Sequence, residues 1–154
     1  MNIYHHELCS IALDAGMLNA SLLAKRFSRN PIEFLMLDGS QPRITQIAES
    51  NGRPLGAQWQ DSQVRIRSKP DFLRALETSQ VIRRVAGSVG GHARNARGVG
   101  GNGPVNYGPG LWMHQDLALD LARWLECRGE SWRSSPLANF IEKVLSQTLP
   151  GDEA

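Results

Sequence analysis

Apolar residues recur at helical spacing most clearly over 115–126, where Leu117, Leu121, Trp124 and Leu125 form a stripe and Asp116, Asp120 and Arg123 fall opposite. A second stripe, Leu137, Phe140, Ile141, Val144, Leu145 and Leu149, follows Ser135 as cap and Pro136 in the first turn, and Pro150-Gly151 ends it. These two helices are expected to pack on each other, with their leucines and tryptophans as core. Shorter helices are predicted over 20–27, behind the N-cap residue Asn19, and over 32–37, behind Pro31. Joined by Ser28-Arg29-Asn30, they make a helix-turn-helix candidate. A helix opened by Pro70 is expected over 71–77 and to run on through Val81-Ile82-Arg83-Arg84-Val85 until glycines stop it.

Strand patterns are briefer. Residues 3–13 carry β-branched and aromatic character, yet Leu8, Ile11 and Ala12 would suit a helix equally well, and Asp14-Ala15-Gly16 reads as a turn. Gln63-Val64-Arg65-Ile66-Arg67 alternates as a strand would, and Leu111-Trp112-Met113 suits another. Residues 38–63 are polar and broken by Gly39, Pro42, Gly52, Pro54 and Gly56, with a helix possible over 43–50. The whole suggests one domain over residues 1–150 and a tail at 151–154.

Charge changes the picture. A net charge of +2 conceals a block from Arg65 to Arg97 with a charge of +6, between flanks of −1 and −3. Such a block repels itself unless it is solvated or meets an anion, and phosphate backbone is the first suspect. The block runs into residues 87–110, where nine of twenty-four residues are glycine, interspersed with His92, Arg94, Asn95, Arg97, Asn102, Asn106 and Tyr107. Glycine permits close backbone approach and arginine offers planar donors to phosphate and guanine, so the tract reads as a basic arm or wing.

Other chemistry is sparse. Cys9 and Cys127 lie far apart and are expected to be free thiols; His5, His6 and Cys9 lack a fourth ligand, so neither a metal nor a cofactor is expected. No P-loop, nucleophile elbow or Cys-x-x-Cys is present, and Asp116, Asp120 and Glu130 read as a solvated helix face, so no catalytic residues are assigned and the chain is not expected to be an enzyme. No apolar run approaches the roughly 20 residues that span a bilayer. The opening Met1-Asn2-Ile3-Tyr4-His5-His6-Glu7 lacks the marks of a secretory leader, so a cytoplasmic location is expected.

Three separated patterns resemble one family. Residues 14–23, Asp-Ala-Gly-Met-Leu-Asn-Ala-Ser-Leu-Leu, with Lys25-Arg26-Phe27, resemble the opening of the KilA-N domain. Phe72-Leu73-Arg74-Ala75-Leu76-Glu77 is similar to its second helical element. Gly110-Leu111-Trp112-Met113-His114, with the helix after it, is similar to its closing Gly-Thr-Trp-Val-His segment, with Leu111 in place of threonine and Gln115 in place of proline. The resemblance implies a domain of bacteria, phages and large DNA viruses, related to fungal APSES domains, with an α+β fold. That fold is a winged helix-turn-helix core with a small sheet and, here, a long glycine-rich wing at 87–110, an insertion at 38–63 and two C-terminal packing helices.

By this resemblance the chain is a DNA-binding module, phage- or mobile-element-derived, acting in transcription regulation or antirepression on double-stranded DNA. Lys25, Arg26, Arg29, Arg65, Arg67 and Lys69 would neutralise phosphates, Arg94 and Arg97 would enter a groove, and Arg83, Arg84 and His92 complete the candidate set. The rival reading is an interaction adaptor whose arm holds an acidic protein surface or RNA. Either reading leaves oligomeric state open.

Overall fold

The computed structural model describes residues 1–55, 69–91, 105–127 and 134–147. It is an α+β fold. A five-stranded antiparallel sheet in the order β1-β2-β3-β5-β4 is built from β1 (Asn2–His5), β2 (Ser10–Asp14), β3 (Met17–Asn19), β4 (Ile82–Val85) and β5 (Gly110–His114). Among the described residues six α-helices accompany it: α1 (Ala20–Lys25), α2 (Pro31–Leu35), α3 (Gln41–Ser50), α4 (Lys69–Thr78), α5 (Gln115–Cys127) and α6 (Pro136–Gln147), with a short 3-10 turn at Asp38–Ser40.

The ambiguous N-terminal run is a hairpin, β1 on β2 with Ile3 opposite Ala12. Ala15 and Gly16, both at positive φ, turn β2 into β3, the geometry that matches strand twist in a two-residue hairpin. Asn19 then leaves β3 as the cap of α1, its Oδ1 accepting from the Leu22 amide at 3.2 Å, and Asn30 caps α2 in the same way on Ile32 at 3.0 Å. Ser28, also at positive φ, ends α1 between them.

The expected continuation of the 71–77 helix through Val85 is corrected. α4 stops at Thr78 because Gln80 takes the left-handed conformation, the Val81 amide reaches back to the Leu76 carbonyl at 2.9 Å and the Gln80 amide to Glu77 at 3.0 Å. This is a Schellman end with its apolar contact, Val81 on Leu76, both fully buried. The β-branched residues beyond it form β4 and pair with β5, Ile82 opposite Met113 and Arg83 opposite Trp112. The helix expected over 43–50 is α3, and its Ile44, Ile47 and Ala48 are core, so the described part of 38–63 supplies packing as well as length. The strand expected over 63–67 lies outside the described residues.

Strand alternation gives the sheet two different faces. Ile11, Leu13, Leu18, Ile82, Leu111 and Met113 join the main core with α5 and α6, which contribute Leu117, Leu121, Leu125, Leu137, Ile141 and Val144. Ala12 and Trp112 turn the other way and gather a smaller cluster with Leu22, Ile3, Met17, Val89 and Tyr107. The two C-terminal helices pack on each other as expected, Ser135 Oγ accepting from Ala138 at 3.1 Å at the start of α6. Cys9 and Cys127 form no disulfide, and no helix among the described residues is long and apolar enough to cross a membrane.

Candidate nucleic-acid interface

The glycine-rich tract joins β4 to β5, two strands that pair antiparallel, so its ends leave and re-enter the sheet side by side. Those ends are packed. Val89 and Tyr107 lie in the smaller cluster against Trp112, whose indole Nε1 donates to the Gly108 carbonyl at 2.8 Å. The Asn106 amide donates to the Gly91 carbonyl at 2.7 Å, closing one side of the tract on the other. Residues 92–104 lie outside the described set, and with them His92, Arg94 and Arg97; Arg65 and Arg67 lie outside it too.

One buried side chain ties this arrangement to α1. Asn19 is 1% exposed; while its oxygen caps α1, its Nδ2 donates to the carbonyls of Tyr107 and Pro109, both at 2.9 Å. Ser21 adds a second tie by accepting the Leu111 amide at 2.8 Å. Gly110, at φ +130°, has no room for a side chain there: a Cβ would stand 2.8 Å from that of Ser21.

Lys25 and Arg26 close α1 and are both exposed. The Lys25 ammonium donates to the Val89 carbonyl at 2.9 Å, passing over Gly90, where a Cβ would approach it to 3.1 Å. Arg26 stands near Cys9 and has no ion pair among the described residues; its charge partly offsets burial and Glu126, which together push the Cys9 thiol up to about 11. Lys69 is exposed at the first position of α4.

Three of the candidate DNA-binding residues are engaged within the fold. The Arg29 guanidinium lies 3.5 Å over the Trp124 ring and donates to the Trp124 carbonyl at 3.4 Å. Arg83 sits 5.0 Å over Trp112 and 3.5 Å from Asp14, with its Nε buried and unpartnered. Arg84, one residue on and therefore on the opposite side of β4, donates to Glu77 of α4 through Nε at 2.9 Å and through a second, closer nitrogen. So Lys25 and Arg26 come together beside the tract, whereas Arg29, Arg83 and Arg84 are held by separate partners. The described residues carry equal numbers of basic and acidic side chains, so the net positive charge resides in the remaining segments.

His114 starts α5, where its Nδ1 accepts the Asp116 amide at 3.2 Å, a role in closing the helix end. Burial lowers its pKa; Asp116 acts against that and Arg43 with it. No group of three or more potential metal ligands occurs among the described residues. What sequence reasoning missed is the second role of Asn19 and the packing of the tract's ends on Trp112; the cap signal was present, but its partners lie 88 and 90 residues away. No family model matches the chain, and no match was found among curated proteins or solved structures.

Proposed function

We propose that this protein is a double-stranded DNA-binding module of the KilA-N type, with the glycine-rich tract as its wing. The observation that carries the reading is the hydrogen bond from Lys25 to the Val89 carbonyl: it sets the exposed basic end of α1 beside the root of an arginine-bearing tract. Lys25 and Arg26 offer a cationic edge suited to phosphates, and Arg94 and Arg97 fall in the sequence between the two ends of the tract that this edge adjoins. The antiparallel pairing of the flanking strands and the cap-and-turn pattern of α1 and α2 support the same reading.

Arg29, Arg83 and Arg84 are left out of this interface, because each already serves the packing of its own element. Lys69, Arg65, Arg67 and His92 remain candidates for phosphate contact. The test replaces Arg94 and Arg97 with alanine: duplex binding in a gel-shift titration weakens while the unfolding midpoint stays put. Unchanged duplex affinity in that variant overturns the role given to the tract.

A further inference from the structure

A groove of about 450 Å³ opens between the end of α1, the β1–β2 connection and the two roots of the tract. Lys25, Arg26, Gly90, Val105 and Tyr107 line it, together with Leu8, Cys9, Ser10 and Leu22. The volume lies within the range of small-molecule sites, roughly 300 to 1,000 Å³. Its make-up is mixed: two cations, an aromatic ring and apolar side chains.

We propose that this groove is a nucleotide site, with a phosphate held by Lys25 and Arg26 and the base laid against Tyr107. Three features favour a phosphorylated planar ligand over a simple anion. Tyr107 is half-buried, packs in the cluster with Trp112 and meets the His5 ring edge-on at 6.5 Å, so it offers a flat surface on which a base can stack. The backbone carbonyl of Tyr107 is clamped by Asn19, which holds the platform in register with α1. Gly90 leaves the space in which the Lys25 ammonium, itself part of the lining, reaches the Val89 carbonyl.

The groove adds little negative charge of its own. Burial keeps the Cys9 thiol protonated at neutral pH, with Glu126 acting in the same direction, and the Glu126 carboxylate is itself turned to the Leu137 amide at 3.2 Å. Ser10 offers a hydroxyl in the lining, already bonded to His5 at 3.1 Å. The proposal rests on the DNA-binding reading only in that Lys25 and Arg26 serve both. The nucleotide could be free or an unpaired residue of a strand, since both present the same phosphate and base.

The experiment follows amide shifts of the full chain on titration with adenosine 5′-monophosphate, inorganic phosphate, and a short 5′-phosphorylated single strand. The expected result is that the monophosphate shifts Leu22, Gly90 and Tyr107. Tyr107→Ala should weaken it about tenfold while Tyr107→Phe keeps it, and Arg26→Ala should weaken it about tenfold. A strand bound more tightly than the monophosphate identifies an unpaired residue as the source; equal affinity identifies a free nucleotide. The proposal is overturned if the monophosphate leaves these amides unmoved, or if inorganic phosphate binds equally well. Loss of duplex binding with monophosphate binding retained removes the DNA reading alone, and the reverse pattern removes the groove alone.

Discussion

The side-chain amide of Asn19 donates to the carbonyl of Pro109 at 2.9 Å, across a separation of 90 residues, while the oxygen of the same side chain caps α1. The residue therefore fixes the end of the tract to the start of the helix that presents Lys25 and Arg26. Asn19→Asp separates the two roles, because a carboxylate can still cap but cannot donate. Unfolding in urea should show a loss of about 2 kcal/mol or more, since two carbonyls lose their donor in a buried place. Asn19→Asp stability equal to the parent's would show that the clamp contributes nothing.

Gly110 is where the tract returns to the sheet, at a backbone angle that L side chains rarely adopt and with Ser21 directly in the way. Gly110→Ala is expected to cost at least about 2 kcal/mol in a thermal or urea melt. Gly16 is a useful contrast: nothing lies within 4 Å of its absent Cβ, so Gly16→Ala meets only the backbone strain of its positive φ. The first substitution should therefore be the more damaging.

Arg29 lies over Trp124, and Phe34 of α2 meets the same indole at 5.7 Å between ring centres. A cation placed this way holds α2 and the α1–α2 turn to α5. Arg29→Ala should lower stability by about 1 kcal/mol and alter tryptophan emission, with duplex affinity nearly unchanged. A large loss of DNA affinity without loss of stability would return Arg29 to the phosphate-contacting set.

His114 supplies a pH dependence. Its pKa in the folded chain is lowered, first by burial, with Arg43 assisting and Asp116 opposing. The unfolded chain therefore takes up the proton more readily, and stability present above about pH 6.5 falls as pH drops through that value toward the lowered one. Protonation would also cost Nδ1 its acceptor role toward the Asp116 amide. Urea melts at about pH 5.5 and 7.5 should differ more for the parent than for His114→Asn, which keeps an acceptor and does not titrate.

Much of the scaffold is legible in the chain because its signals are local. The stripes of α5 and α6, the caps Asn19 and Ser135, and the turn at Ala15-Gly16 each depend on neighbours a few residues away. The end of α4 was not legible, since its left-handed position is filled by Gln80 where glycine is the usual signal. β1 was ambiguous because four residues are too few to distinguish the period of a strand from that of a helix. The fate of the arginines was hidden for a different reason. A count of charge locates cations along the chain, but Asp14 meets Arg83 and Trp124 meets Arg29 only through the fold.

The account stands most directly on the salt dependence of duplex binding, measured by anisotropy of a labelled oligonucleotide over a range of potassium chloride concentrations. Contacts from the four cations Lys25, Arg26, Arg94 and Arg97 give a slope of about −4 in log K against log salt, and replacing Arg94 and Arg97 together should flatten it by about 2. No binding, or a slope near zero that those replacements leave unchanged, would contradict it.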